Sequence, residues 1–138
     1  MPRVRVSRRL HFCAAHRLAR EDWEPERNQR TFGLCANPNW HGHNYELDVT
    51  VEGEIDPETG FVFDLKRLKD LVEERVIGDV DHRNLNLDVP WMEGLNPTTE
   101  NLVVAIWNRL ADALPETARL VRLVLWETPR NFVEYTGE

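Results

Sequence analysis

The chain has 138 residues, of which 41% are hydrophobic, so it can bury one core and is not a disordered chain. Its net charge of −7 argues against a general nucleic-acid binder and against a membrane-surface protein. Two cysteines are too few for a disulfide scaffold, and no apolar run is long enough to cross a membrane. From its length we expect a single domain, residues 1–138. Because the N-terminus also lacks the apolar segment of a signal peptide, we expect this domain to lie in the cytoplasm.

Two long strands are predicted in the first part of the chain. Most even positions from Val4 to Leu18 carry apolar side chains, with His16 on the same face, and a period of two is typical of a strand. From His41 to Glu52 the sequence alternates in the same way. Residues 19–39, between these strands, are polar and rich in Asn, Pro and Arg, which predicts a long loop.

Two helices are predicted next. The segment from Asp64 to Ile77 has an apolar stripe of helical period, with Asp64 as its N-cap and Gly78 as its stop. The sequence Asn96-Pro97-Thr98-Thr99 supplies capping residues and an early proline for a second helix. Its apolar residues continue to Ala113 and Leu114, directly before Pro115.

The remaining segments complete the predicted topology. Residues 79–95 are predicted as a second long loop, and residues 118–127 and 131–136 as two more strands. The resulting ββααββ order predicts an α+β domain, with an antiparallel sheet and both helices on one of its faces.

Three histidines give the strongest chemical signal in the sequence. Residues i and i+2 of a strand project to the same side, about 7 Å apart, so His41 and His43 can converge on one ion. His16 lies on the apolar face of the first strand, and pairing of the two strands would bring all three imidazoles together. Zinc accepts three nitrogen ligands and keeps a fourth position open for water or substrate. The alternative is that these histidines only form hydrogen bonds in the core.

Further candidates for acid–base chemistry lie in the two predicted loops. Cys35 precedes His41 by six residues, and a thiol beside a cation shifts toward the thiolate, which makes it a candidate base or nucleophile. Cys13 lies off the His16 face, a position that favours a packing role. Asp81 can orient His82 for proton transfer, although the same dipeptide also suits a solvated turn.

Glu127 is a charged residue on an apolar strand face, which it shares with Val121, Leu123 and Leu125. Burying a carboxylate without a partner is costly, so Glu127 should pair with an arginine or receive donor groups from a heterocyclic ligand. At the end of its strand it could also reach water. The sequence has no HExxH, zinc-deaminase, Walker A or GxSxG motif, which disfavours those four classes of enzyme.

Six segments in chain order carry a resemblance to known proteins. They are Phe12-Cys13-Ala14-Ala15-His16-Arg17-Leu18, Cys35 with His41-Gly42-His43-Asn44-Tyr45, Gly53-Glu54-Ile55-Asp56-Pro57, Asp81-His82-Arg83-Asn84-Leu85-Asn86, Asn96-Pro97-Thr98-Thr99-Glu100-Asn101, and Glu127 with Tyr135-Thr136-Gly137-Glu138. Together they resemble the 6-pyruvoyltetrahydropterin synthase / 6-carboxytetrahydropterin synthase family. The resemblance implies the tunnelling fold, in which ββααββ subunits join into a barrel, commonly as a homo-hexamer of two stacked trimers with active sites between subunits.

The same resemblance implies an activity and a role for each site residue. The expected enzyme is a zinc-dependent lyase that converts 7,8-dihydroneopterin triphosphate to 6-pyruvoyltetrahydropterin and releases tripolyphosphate. The implied roles are zinc binding by His16, His41 and His43, general base catalysis by Cys35, a proton relay of Asp81 and His82 from a neighbouring subunit, and pterin anchoring by Glu127 near Thr98 and Thr99. The expected partners are the pterin triphosphate and further copies of the chain, without nucleic acid or membrane.

Two other functions stay open at this stage. The five residues between Cys35 and His41 resemble the biopterin-pathway synthases, whereas members acting in 7-deazaguanine (queuosine) synthesis typically have three. Asp64, within Phe63-Asp64-Leu65, mildly favours a 6-carboxytetrahydropterin synthase instead. A non-catalytic zinc-dependent pterin binder, or a structural zinc protein, is a second alternative. The joint presence of Cys35, Asp81, His82 and Glu127 favours an enzyme.

Overall fold

A five-stranded sheet, in the order β3-β1-β2-β4-β5, forms the centre of the computed structural model, which describes residues 2–138. The strands are β1 (Arg3–His16), β2 (His41–Glu54), β3 (Arg83–Asn84), β4 (Arg119–Trp126) and β5 (Phe132–Tyr135). Neighbouring strands are antiparallel except for the two-residue β3, which runs parallel to β1. The predicted α+β fold and antiparallel sheet are therefore confirmed, with β3 as an unforeseen edge strand.

Two of the α-helices, the second and the fourth in chain order, pack on one face of this sheet. Residues 2–138 contain four α-helices: α1 (Pro25–Phe32), α2 (Leu65–Val72), α3 (Gly78–Val80) and α4 (Thr99–Leu110). Leu68 of α2 and Ile106 of α4 belong to one buried cluster with Phe12, Tyr45 and Leu47 from the central strands. Burial of these apolar side chains is the main force that holds the helices on the sheet. The opposite face is polar at its centre, where Arg9 of β1 forms a two-pronged ion pair with Asp48 of β2.

The prediction of an uninterrupted loop over residues 19–39 is wrong. This segment contains α1 and a short 3-10 helix, Gly33–Ala36. α1 buries only Asn28, so it has no apolar stripe that a search for periodicity can detect. The Asn28 side chain instead accepts a hydrogen bond from the Arg20 amide and donates one to the Arg20 carbonyl, each at 2.9 Å.

The first predicted helix begins as expected but does not stop where predicted. Asp64 is its N-cap and accepts a hydrogen bond from the Lys66 amide at 2.9 Å. Gly78 is not a stop, because its φ of −59° and ψ of −25° are helical. The backbone passes through a π-helical turn, Glu73–Ile77, and continues into α3.

Two further boundaries differ from the predictions. α4 ends at Leu110, so Ala113 and Leu114 lie in the turn that follows it and not in the helix. The predicted loop over residues 79–95 contains β3 and a 3-10 helix, Pro90–Met92. Within residues 2–138, none of the helices has both the length and the apolar character needed to cross a bilayer.

Candidate metal centre and active site

The pairing of β1 with β2 brings the three predicted histidines together. His16, the last residue of β1, is the cross-strand partner of His41, the first residue of β2. His43 is opposite Ala14, two residues along on the same face. The ring centroids are 4.5 Å apart for His16 and His41, and 5.0 Å apart for His43 and either of the others. One ring nitrogen from each histidine lies within 4.8 Å of the others.

The nitrogen atoms of this cluster fit a metal ion. Among residues 2–138, no hydrogen-bond partner is present for His16 Nε2, for either ring nitrogen of His41 or for His43 Nε2, although all four atoms are buried. Buried polar atoms are normally paired, so a group of unpaired nitrogens needs an explanation. Burial lowers the pKa of His16 and of His41, which favours the neutral imidazole that binds metals. Three neutral imidazoles are a typical ligand set for zinc.

His16 is oriented by groups that the sequence analysis did not identify. Its Nδ1 lies 2.9 Å from the Pro97 carbonyl oxygen, so Nδ1–H donates and the Nε2 lone pair is free for a metal. The Tyr45 hydroxyl lies 3.4 Å from the same nitrogen, and burial raises the pKa of Tyr45 well above its usual value. The Pro97 carbonyl was missed because backbone atoms leave no residue signature, and the segment from Asn96 to Thr99 indicated only the start of a helix.

Glu127 lies between the histidine cluster and α4. Its Oε1 is 3.6 Å from His43 Nε2, and its Oε2 accepts a hydrogen bond from the Thr99 hydroxyl. Glu127 borders two cavities, one of about 530 Å³ that His43 also lines and one of about 280 Å³ that Thr99 also lines. The hydrogen-bond partner of Glu127 is therefore Thr99, where the sequence analysis had expected an arginine or a ligand.

One detail around Glu127 differs from the sequence-based prediction, and another confirms a predicted helix cap. Val121 does not share its buried face, because the β2–β4 register shifts at this point and Leu120, which is 5% exposed, takes the core position. The Thr98 hydroxyl accepts a hydrogen bond from the Asn101 amide at 3.1 Å and caps α4. Thr98 therefore has a structural role in addition to lying in the wall of the smaller cavity.

Cys35 lies in the 3-10 helix Gly33–Ala36, which is tied to the end of β1 by two hydrogen bonds. The Leu18 amide donates to the Cys35 carbonyl at 2.8 Å, and Arg17 Nε donates to the Ala36 carbonyl at 2.9 Å. Burial, and then the negative charge of Glu127, raise the pKa of the Cys35 thiol. In the metal-free chain this thiol is therefore protonated at neutral pH, and only a cation nearby would favour the thiolate.

Asp81 and His82 lie in a different cluster, together with Cys13. His82 Nδ1 is 3.1 Å from Asp81 Oδ1, which also accepts a hydrogen bond from the Cys13 amide at 3.0 Å. This backbone hydrogen bond is the main reason that the pKa of Asp81 is lowered. Cys13 lies off the His16 face, as predicted, but it contacts both members of the dyad and is not merely packed. Among residues 2–138 of one chain, the candidate metal ligands therefore form two groups, the three histidines and the cluster of Cys13, Asp81 and His82.

The chain is similar to known proteins along nearly its whole length. The sequence profile of a family described as 6-pyruvoyl tetrahydropterin synthase matches residues 5–138. The human 6-pyruvoyl tetrahydrobiopterin synthase is 47% identical over 135 residues, which cover 98% of this chain and 92% of the human protein. The solved structure of 6-pyruvoyl tetrahydropterin synthase from Caenorhabditis elegans superimposes with a TM-score of 0.93 at 39% identity, covering 100% of this chain and 98% of that one. The expected tunnelling-fold subunit is therefore confirmed.

A relative with a different name is also similar over most of the chain. A probable 6-carboxy-5,6,7,8-tetrahydropterin synthase from Halobacterium salinarum is 34% identical over 137 aligned residues, which cover 88% of this chain and 79% of that protein. Its identity to this chain is lower than that of the human protein.

Proposed function

Because the chain belongs to the 6-pyruvoyl tetrahydropterin synthase family, we propose that it is a zinc-dependent lyase that forms 6-pyruvoyltetrahydropterin and tripolyphosphate from 7,8-dihydroneopterin triphosphate. The observation that carries this proposal is the position of Glu127, whose carboxylate lies between His43 of the three-histidine cluster and Thr99. A carboxylate beside a candidate metal centre can hold a nitrogen heterocycle while the metal faces the reacting side chain. The 47% identity to the human synthase supports the same substrate.

The three histidines would hold the zinc ion. When bound, the ion supplies a positive charge that acidifies the side-chain hydroxyls of the substrate and the C–H groups next to them. The Pro97 carbonyl accepts from His16 Nδ1–H and so keeps His16 in the tautomer that presents Nε2. The register between His16 and His41 sets the spacing of two ligands before any metal arrives.

Glu127 and Thr99 would orient the pterin ring. The Thr99 hydroxyl donates to Oε2, so Oε1 remains for an N–H group of the ring. Hydrogen bonds to a carboxylate are stronger than those between neutral groups, so a bond to Oε1 would orient the ring. Such positioning uses the binding energy of the ring to hold the reacting carbon in the correct place.

Proton transfer is assigned to Cys35 and to the Asp81–His82 dyad. Cys35 would act as the general base after the cation lowers its pKa from the raised value of the metal-free chain. Asp81, kept ionised by the Cys13 amide, would accept from His82 Nδ1–H and leave Nε2 to carry the proton. The His82 side chain is 79% exposed, which suits delivery into the active site of a neighbouring subunit. We propose a homo-hexamer of two trimers in which each site is completed in this way.

A 6-carboxytetrahydropterin synthase is the second candidate, favoured by Asp64 and by the relative from Halobacterium salinarum. The five-residue spacing between Cys35 and His41 and the higher identity to the human synthase favour the pyruvoyl product. Both enzymes would use the same metal ligands, base and ring anchor. A pterin binder without catalysis is less well supported, because it would not need Cys35 or the dyad.

Product analysis separates these candidates. The zinc-loaded protein is incubated with 7,8-dihydroneopterin triphosphate, and the products are identified by mass spectrometry. A 6-pyruvoyl product with tripolyphosphate is the expected result. A 6-carboxy product with acetaldehyde would assign the chain to the second candidate, and no turnover with zinc bound would favour a binder.

A further inference from the structure

Cys13, Asp81 and His82 bring three metal-binding side chains together outside the histidine cluster. Cys13 Sγ lies 3.5 Å from His82 Nε2 and 3.8 Å from Asp81 Oδ1. One donor atom from each residue lies within 4.8 Å of the other two. We propose that these three residues form a second zinc site, with a ligand set distinct from the three histidines.

Two of the three separations between the donor atoms match those of a tetrahedral zinc site. With zinc bonds of about 2.3 Å to sulfur and about 2.0–2.2 Å to nitrogen or oxygen, neighbouring ligand atoms lie about 3.6 Å apart. The Cys13–His82 and Cys13–Asp81 distances are close to this value. The His82 side chain is 79% exposed, so its ring can turn toward the ion without disturbing the core. A thiolate and an imidazole together select zinc-like ions over magnesium and calcium.

Hydrogen bonds from two backbone amides fix the Asp81 carboxylate and the His82 backbone beside Cys13 before an ion binds. The Cys13 amide donates to Asp81 Oδ1 at 3.0 Å, and the His82 amide donates to the Cys13 carbonyl at 2.7 Å. His82 has a φ of 58°, a left-handed conformation that is unfavourable for a residue with a side chain. The pairing of Arg83 and Asn84 with β1 fixes the chain directly after it. Ligands that are ordered in advance lose less entropy when the ion binds.

There is also room for a fourth ligand. A cavity of about 400 Å³ opens beside the cluster and is lined by Cys13, Ala15, Gly42 and His82, among others. Water entering from this cavity can complete the tetrahedron. Binding transfers the Cys13 thiol proton to solvent and exchanges the hydrogen bond between Asp81 and His82 for two bonds to the ion.

The consequence for the reaction rests on the proposed function, in which His82 moves a proton. An ion that takes His82 Nε2 removes the nitrogen that would carry this proton. Zinc in excess of the first ion is therefore expected to inhibit turnover. Occupation of the two sites would have opposite effects, because the histidine site activates the enzyme and the Cys13 site blocks it.

Cobalt titration of the metal-free full chain tests the second site independently of turnover. We expect two Co²⁺ ions per chain and a thiolate-to-cobalt charge-transfer absorption that appears with one of them. Cys13→Ser should bind one ion and lack this absorption, while the matched variant Cys35→Ser should keep it. His82→Ala, which removes an exposed side chain, should also bind one ion and covers the case in which Cys13→Ser does not fold. His41→Ala should lose the other ion and keep the absorption.

Several results would overturn the proposal. One ion per chain in the unmodified protein contradicts a second site, and an absorption that survives Cys13→Ser but disappears in Cys35→Ser assigns the thiolate ligand to Cys35. Turnover measured against added Zn²⁺ tests the inhibition separately. If two ions bind but excess Zn²⁺ leaves turnover unchanged, the inhibitory consequence is wrong. If the pterin triphosphate is not turned over at all, the proposed function fails while the cobalt counts remain valid.

Discussion

Glu127 Oε1 lies 3.6 Å from His43 Nε2, which places an anionic group beside the edge of the candidate metal centre. Thr99 holds the other carboxylate oxygen through its hydroxyl. This arrangement gives the carboxylate a fixed direction and leaves one oxygen for a ligand. It also accounts for part of the raised pKa of Cys35, because Glu127 adds negative charge near the thiol. Glu127 therefore influences His43 by proximity, Thr99 by a hydrogen bond and Cys35 by its charge.

Glu127→Gln should weaken binding of a pterin analogue without disturbing the fold. A hydrogen bond to a charged group contributes about 1.5–3 kcal/mol, which corresponds to roughly a 10- to 100-fold rise in Kd. Titration calorimetry with the analogue measures this change. Glu134→Gln on β5, which removes the carboxylate that pairs with Arg122, is the matched control and should bind normally. Equal affinity in both variants would remove Glu127 from the pterin site.

His41→Ala should lower the zinc content of the purified protein. Loss of a direct ligand is expected to cost more than the roughly 10- to 100-fold typical of groups that only orient a ligand. Metal analysis after dialysis against a weak chelator gives the stoichiometry, with Cys13→Ser as background so that a second ion does not obscure the result. His11→Ala, which changes an exposed histidine of β1, should retain zinc. Full zinc content in His41→Ala would contradict the three-histidine site.

Cys35→Ala should keep the fold and the histidine-bound zinc but lose turnover by roughly 10²- to 10⁴-fold, the usual contribution of a general base. Steady-state kinetics with 7,8-dihydroneopterin triphosphate, together with metal analysis, separates loss of the base from loss of the metal. Leu34→Ala changes the neighbouring side chain, which is 85% exposed, and should leave turnover intact. Unchanged turnover in Cys35→Ala would show that another group takes the proton.

The sequence predicts the strands and the histidine cluster well because both depend on the alternation of side chains along β1 and β2. His16, His41 and His43 follow from this alternation once the two strands pair. α1 could not be found in this way, since Asn28 is its only buried residue and its contacts are to the backbone of Arg20. The two-residue β3 likewise forms because it pairs with Ala14 and Ala15 of β1 at the sheet edge, and its own composition does not predict it.

In the candidate site, too, some features follow from the residue pattern and others arise only from packing. Residue types and spacing identified the three histidines, Glu127 and the Asp81–His82 dyad. They did not identify the Pro97 carbonyl, which orients His16, or the contact of Cys13 with His82, because each arises from packing of segments far apart in sequence. Gly78 shows the opposite error, since a local preference for a helix stop is overridden where α2 continues into α3.

The stability of the sheet should depend on pH through Asp48. Its hydrogen bond to Arg9 is the main reason that its pKa is lowered below the ordinary value of 3.8. A carboxyl with a lowered folded pKa stabilises the protein above its unfolded pKa and loses this contribution as the pH falls through the folded value. Asp48→Asn should therefore cost up to about 1 kcal/mol at pH 7, a small amount because Arg9 is exposed to solvent. The cost should be much smaller in acid, once the pH is below the folded pKa of Asp48.

Urea unfolding at fixed protein concentration, at both pH values, measures this difference. Glu54→Gln, an exposed change at the end of β2, is the control and should show little change at either pH. A constant difference between Asp48→Asn and the unmodified protein at both pH values would mean that the ion pair is not the source of the stabilisation.

Mixing two inactive variants tests whether the active site is shared between subunits. Cys35→Ala keeps His82, and His82→Ala keeps Cys35, so a site built from both chains can regain one of each. In a random one-to-one assembly, about a quarter of the sites receive both intact residues, and turnover should recover to about that fraction of the unmodified protein. Co-expression with two different affinity tags isolates the mixed assemblies. If Cys35 and His82 acted within one chain, mixed assemblies would show only the low activity of the separate variants. The clustering of Asp81 and His82 with Cys13, apart from the three histidines, favours recovery.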